Sequence, residues 1–235
     1  MSRILTLSAN DFRMVFRDPM LRIFLLMPLL VLAVVAWAVP ALLATYPAAR
    51  SYDYVILMLA CMQTSTMFGF INGFVFLEEK DENVFAALRV MPVSAGMLVS
   101  VRMLLGFTIA GGVNIVLLSI APWVEMTIIE RILVAGQYAL VAPLLALLVA
   151  TFAQNKVEGL AQFKLYNFVL NLPVLIYFLP YKLLHGLAVI PTYWTFRSVE
   201  ALRSGSDFLF YYGIGTLLYA VLLIGLVRWF ERRVF

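Results

Sequence analysis

An all-α integral membrane protein with six transmembrane helices is the fold class this sequence predicts, on three observations. Hydrophobic residues make up 64% of the 235 residues and charged residues only 13%, against about half and a quarter in soluble domains. Mean hydropathy is +0.98. Six apolar runs, each near the roughly 20 residues that cross a bilayer as a helix, follow one another with short polar breaks, at 21–43, 54–77, 97–124, 132–153, 165–191 and 208–229. No segment between them is long enough for a second domain, so residues 1–235 read as one transmembrane domain.

Ahead of the first run, "ILTLSANDFRMVFRD" places Leu5, Ala9, Phe12 and Phe16 at helical spacing, with Asn10, Arg13 and Arg17 elsewhere on the wheel. The spacing predicts an amphipathic interfacial helix over about 4–18, stopped at Pro19. Asp11, Arg13, Arg17 and Asp18 interrupt any short apolar core there, and no cleaved signal peptide is expected.

Orientation follows from the basic residues. With both termini on one side, twelve of the seventeen Lys and Arg fall on that side, and the positive-inside bias makes both termini cytoplasmic in a cell membrane. The same bias accounts for a pI near 9.3 without a nucleic-acid partner. Arg102, about one turn inside the third run, is expected to snorkel to the cytoplasmic interface.

The fifth run is irregular. "LNLPVLIYFLPYKLLHGLAVIPTYW" carries Pro173, Pro180 and Pro191, and each internal proline removes a backbone hydrogen bond. One span to about Leu179 is expected, followed by a short re-entrant element over about 180–204 that dips back at the outer face, where irregular backbone must be shielded. His185, the only histidine, reads as an amphipathic anchor there.

Several chemistries are excluded. No Gly-Lys pair occurs, so there is no G-x-x-x-x-G-K-[ST] phosphate loop, and the chain is expected to bind no cofactor. One histidine and one cysteine, Cys61, rule out a His- or thiolate-based metal cluster, a histidine triad and an intrachain disulfide. Mid-membrane charges of the kind ion-coupled carriers keep are scarce. The runs hold instead Gln63, Thr64, Ser65, Asn72, Asn114, Gln137, Asn167 and Asn171. Gln63, Asn72, Asn114, Gln137, Asn167 and Asn171 are candidates for a weakly polar substrate path, with interhelical hydrogen bonding as the other reading. Gly69 and Gly73 form a close-packing G-x-x-x-G pair.

The most informative stretch is "EEKDENVFAALRVMP", which opens the loop at about 78–94 between the second and third runs. Glu78, Glu79, Asp81 and Glu82 are four of only thirteen acids. After them Val84, Phe85, Leu88 and Met91 share one face of a two-turn amphipathic helix ended by Pro92. An anionic leaflet repels those acids, which makes a protein groove the better receptor. The second cytoplasmic loop, "AQNKVEGLAQFK", reads as a lesser contact or a plain solvated turn.

"RDP" at Arg17–Pro19 after an amphipathic helix, "EEKDENVFAALRVMPVS" between the second and third spans, and "PTYWTFRSVEAL" before the last span together resemble the membrane subunit of type-2 ATP-binding-cassette exporters. Glu79, Lys80, Leu88, Pro92 and Ser94 match the family's loop motif in order, while Asn83, Val84 and Phe85 depart from its usual Gly, Thr and Leu. The resemblance covers essentially the whole chain. It implies a permease half that pairs with a second permease copy or a paralogue in the lipid membrane. The 78–94 loop would then be a coupling helix seated on a separate cytosolic ABC ATPase through Glu78, Glu79, Lys80, Asp81, Phe85, Leu88, Arg89 and Pro92. ATP and Mg would sit on that partner subunit, and the cargo would be a small amphipathic or hydrophobic drug, antibiotic, peptide or lipid. The other reading of the same loop is a membrane scaffold or channel that recruits a cytosolic partner.

Overall fold

The computed structural model describes residues 15–81, 95–121, 125–179 and 182–234. Within them every regular element is helical and six helical stretches are long and apolar enough to span a bilayer: Pro19–Thr45, Pro47–Asp81, Val99–Ile120, Ile128–Phe152, Lys156–Tyr177 and Phe208–Phe230. The six-span expectation holds.

Each boundary has a local cause. Residues 15–17 are helical and the chain breaks at Asp18, whose Oδ1 accepts from Met20 N at 2.8 Å and Leu21 N at 3.3 Å. Pro19 at the first position suits the start of α1 (Pro19–Ala33), because its missing N–H has no helical partner to lose. A π turn (Val34–Ala38) leads into α2 (Val39–Thr45), where Pro40 offers no N–H to the carbonyl one turn earlier. A 3₁₀ turn (Pro47–Tyr52) then leads into α3 (Asp53–Asp81), and α4 (Ala95–Ile120) returns.

The fourth span is two helices, α5 (Ile128–Ala139) and α6 (Val141–Phe152). Thr127 and Glu130 form a capping box at its start, and Pro143 costs it the hydrogen bond to Ala139 where the two helices meet.

Two boundaries differ from expectation. Residues 78–81 are the last turn of α3 rather than loop. The stretch "AQNKVEGLAQFK" is mostly the start of α7 (Lys156–Asn171), because the Asn155 side chain accepts from Glu158 N at 2.9 Å and so nucleates the helix there. Glu158, Gln162 and Tyr166 then form a hydrogen-bonded ladder one turn apart, which keeps these polar groups satisfied along a span.

Spans two and four are the core: 78% and 72% of their most apolar stretches are buried, against 17% for spans one and six. Their contact is close because α3 presents glycines to α6. A Cβ on Gly69 would lie 2.9 Å from the Ala142 carbonyl oxygen, and one on Gly73 would lie 3.3 Å from Val149 Cβ. Small residues let helix backbones approach where lipid offers no hydrophobic drive. Phe24 stacks on Phe70 at 3.8 Å, and Phe163 meets Phe70 edge-on at 4.6 Å, which ties spans one and five to the core.

The re-entrant element takes the expected place. α7 gives way at Pro173 to a 3₁₀ turn (Leu172–Tyr177); a second 3₁₀ segment (Lys182–Val189) precedes α8 (Pro191–Ser204), and α9 (Phe208–Val234) follows. At 14 residues, α8 is about 21 Å long and cannot cross. Its first turns lie deep: Thr192 Oγ1 donates to Leu170 O at 2.6 Å, and Thr195 Oγ1 is 3.3 Å from the hydroxyl of Tyr219, about 16 Å along α9 from its start. Its end is at the rim, where Arg203 pairs with Asp53 at the head of α3. The chain therefore dips in and comes back out. Gly205 at φ 68° closes α8 with the left-handed turn that glycine adopts at no steric cost.

Candidate functional site

Two features stand out at the end of the bundle that carries Asp18, Glu78–Asp81 and Lys156. The first is a charged knot at the stems of the loop between α3 and α4. Glu79 on the last turn of α3 and Arg102 near the start of α4 are each 5% exposed and form a bidentate pair, with Arg102 Nη2 donating to Glu79 Oε1 at 2.6 Å and Nη1 donating to Oε2. The guanidinium also lies 5.3 Å over the Phe76 ring.

This corrects the expectation that Arg102 snorkels out to the interface. A carboxylate faces it across the helix pair, and planar two-point binding holds both charges inside. It also takes Glu79 out of the solvated cluster. Of its neighbours, Asp81 is exposed, Lys80 Nζ donates to the carbonyl of Ala153, the residue that caps the end of α6, at 2.9 Å, and Lys156 bridges Glu78 and Asp18 at 3.4 and 3.5 Å. Spans one through five are thus stitched together around the loop. Phe85, Leu88, Arg89 and Pro92, the remaining expected docking residues, lie outside the described residues, as does the interfacial helix up to residue 14.

The second feature is a chamber of about 450 Å³ in the gap between α1 and α4, floored by α3. That volume falls in the range of small-molecule sites, roughly 300–1,000 Å³. Leu25, Pro28 and Leu29 form the α1 wall, Leu105 and Ile109 the α4 wall, and Phe68 and Ile71 the floor. Among the described residues, only Asn72 and Arg102 bring polar groups to it. Gly106 makes room for the Asn72 amide, since a Cβ there would overlap Nδ2. That Nδ2 is buried without a hydrogen-bond partner.

The structure separates the six candidate path residues. Asn72 alone lines the chamber. Asn114 is fully buried and donates to Ser65 Oγ at 2.9 Å. Gln137 accepts from Ser198 Oγ at 2.8 Å and donates to Tyr212 O at 3.0 Å, which links span four to α8 and α9. Asn171 donates to Asn167 within α7, and the Gln63 carbonyl accepts from Thr66 Oγ1 in α3.

His185 Nδ1 and the Tyr193 hydroxyl lie 2.8 Å apart where the 3₁₀ segment meets α8. Sequence reasoning missed the Glu79–Arg102 partnership. The available signal was one acid and one base, each at the edge of an apolar run, on the two sides of a single loop.

A family model described as "Fluoroquinolones export permease protein Rv2686c-like" matches residues 11–227. The chain belongs to that family. Two relatives from Mycobacterium tuberculosis, the "Fluoroquinolones export permease protein MT2760" of strain CDC 1551 / Oshkosh and the "Fluoroquinolones export permease protein Rv2686c" of strain ATCC 25618 / H37Rv, are each 27% identical over 199 residues, 80% of this chain and 78% of theirs. No solved structure matches. Membership, together with six spanning helices, makes the chain a multi-pass membrane permease, a transport component rather than an enzyme. It agrees with the exporter-permease resemblance carried by the loop between spans two and three.

Proposed function

We propose that this permease is the membrane-spanning subunit of an ATP-driven exporter. Its cargo is a small amphipathic drug of the kind named for its relatives, fluoroquinolones, and its motor is a separate cytosolic ABC ATPase seated on the 78–94 loop. ATP and Mg²⁺ belong to that ATPase, and residues 1–235 act as one transmembrane domain with both termini cytoplasmic. A second permease copy or a paralogue completes the pathway.

The observation that carries this reading is the buried Glu79–Arg102 pair. A partner can drive a conformational change only through a surface it grips differently in two states. A loop attached to two independently flexing stems would absorb such a movement. Here a bidentate pair joins the last turn of α3 to the start of α4, so a push on the loop moves both helices as a unit. Because α3 is packed backbone-close on α6 through Gly69 and Gly73, the push reaches the core of the bundle.

The test is co-reconstitution with the ATPase that copurifies with the chain, followed by fluoroquinolone uptake into vesicles with the loop facing out. Phe85→Asp or Leu88→Asp should leave the permease folded and abolish ATP-driven uptake. Unchanged ATPase binding and uptake in both variants would overturn the docking assignment. Nucleotide-independent flux through the permease alone would make it a channel.

A further inference from the structure

We infer that the chamber between α1 and α4 is a bilayer-facing binding site for an uncharged or internally neutral amphiphile, whose carbonyl oxygen accepts a hydrogen bond from Asn72 Nδ2. The inference goes beyond the transport reading, since it places a ligand on named atoms and stands whether or not that ligand is the exported drug.

Four observations converge on it. The chamber volume, about 450 Å³, suits a drug-sized molecule, and its walls are aliphatic. The chamber opens on the outer surface of the bundle: Leu29, Leu105 and Ile109 are 60%, 37% and 39% exposed, and α1 and α4 both pack on α3. The polar groups on its lining are the Asn72 amide, whose Nδ2 is buried without a partner, and Arg102, already neutralised by Glu79. A buried donor left unmade is costly, and a ligand acceptor removes that cost. With Glu79 holding Arg102, an incoming net anion would leave the site with an uncompensated buried charge, so the fit is to an acceptor without net charge.

Depth decides between a membrane-dissolved amphiphile and a bilayer phospholipid. Asn72 lies seven residues before Glu79 on α3, about 10 Å deeper along the helix than the charged knot. A phospholipid keeps its ester carbonyls at the interface and would set only alkyl chain beside Asn72, leaving Nδ2 unpaired. A compact ligand with a carbonyl inside an apolar body satisfies it. Gly106 is the feature that positions the amide, since any larger residue there would displace it.

Benzophenone is a suitable probe, being apolar, uncharged and photoreactive at its own carbonyl. Photolabelling of the full-length permease in nanodiscs, followed by peptide mapping, should place adducts on the chamber walls around Leu29, Leu105 and Ile109. Asn72→Leu should lower that labelling roughly five-fold, as expected for one hydrogen bond. Diphenylmethane, which lacks the carbonyl, should compete several-fold less well than unreacted benzophenone. Ile109→Trp, which fills the chamber from an exposed wall without touching the core, should abolish labelling there and so gives a second reading if Asn72→Leu folds poorly. Adducts spread evenly over lipid-facing helices such as α9, or chamber labelling unaffected by both substitutions, would overturn the site. A fluoroquinolone that displaces the label would make the chamber a cargo site. Chamber labelling that no fluoroquinolone displaces would leave the site standing as one separate from the cargo path.

Discussion

The two ends of this bundle are held together by opposite chemistry. At the end bearing the 78–94 loop, the links between helices are charges: Glu79 with Arg102, Lys156 with Glu78 and Asp18, and Lys80 on the Ala153 carbonyl. At the other end the re-entrant element is held mainly by neutral groups. Ser198 binds Gln137, Thr195 meets Tyr219, Thr192 binds the Leu170 carbonyl, and Trp194 Nε1 donates to Ala188 O at 2.7 Å. Neutral bonds from α8 to four other elements fix a shape. A few concentrated ion pairs make a joint whose loss is felt all at once, which suits the end proposed to receive the ATPase's push.

The sharpest way to break that contrast is at the buried pair. Glu79→Ala leaves the Arg102 charge buried without its carboxylate and should cost about 3–5 kcal/mol, read as a large fall in the melting temperature of the purified permease in detergent. Glu79→Leu combined with Arg102→Met removes both charges and should recover most of that stability, because an apolar pair of similar volume also fills a buried site. The double variant should nonetheless transport poorly with its ATPase, since apolar contact does not lock the two stems as a bidentate pair does. A silent single substitution would mean the charges do not hold this end. Full transport in the double variant would mean the pair is structural only.

How much of this was legible in the sequence differs between the two ends in the same way. Span number, the G-x-x-x-G contact and the re-entrant element all followed from patterns that act locally: apolar run length, small residues four apart, and prolines at 173, 180 and 191. The charged loop was visible as a stretch, but which of its acids turns inward was not. Glu78, Glu79 and Asp81 look alike as letters. Only the partner 23 residues further on, approached through the packing of α3 against α4, selects Glu79. The chamber was equally hidden. Asn72 belonged to a set of six similar polar residues, and what distinguishes it is Gly106 on another helix, which gives its amide room.

The neutral end should yield more gently. Gln137 joins α5 to α8 and α9 through Ser198, Tyr212 and Thr216. Hydrogen bonds between membrane helices average about 0.6 kcal/mol with a ceiling near 1.7, so Gln137→Leu should cost on the order of 1–2 kcal/mol. The Ser198 hydroxyl proton, once released from Gln137, can turn to Trp194 O, 2.7 Å away, which limits the loss. The expected sign is a modest melting shift together with faster proteolysis between residues 182 and 204, while ATPase binding stays unchanged. A loss as large as that of Glu79→Ala would erase the distinction between the ends.

The smallest effect is expected at Arg203, and it sharpens the comparison because it is a charge at the neutral end. Arg203 pairs with Asp53 and lies 4.4 Å over the Tyr54 ring, so its contacts resemble those of Arg102, which also pairs with a carboxylate and covers an aromatic ring. The difference is water: the Arg203 side chain is 37% exposed against 6% for Arg102. An exposed pair contributes at most about 1 kcal/mol, and salt screens it. Arg203→Ala should therefore lower the melting temperature slightly at low ionic strength, and the gap from the parent protein should close in about 1 M salt, where the screening length falls to roughly 3 Å. The Glu79→Ala deficit should persist in the same salt, because the charge it strands is out of reach of mobile ions. If both deficits vanish together in salt, Glu79 and Arg102 are solvated in the membrane and the loop stems are not clamped by a buried pair. If neither moves, Arg203 acts mainly through its packing on Tyr54, and the rim of the re-entrant element relies on charge as little as its interior.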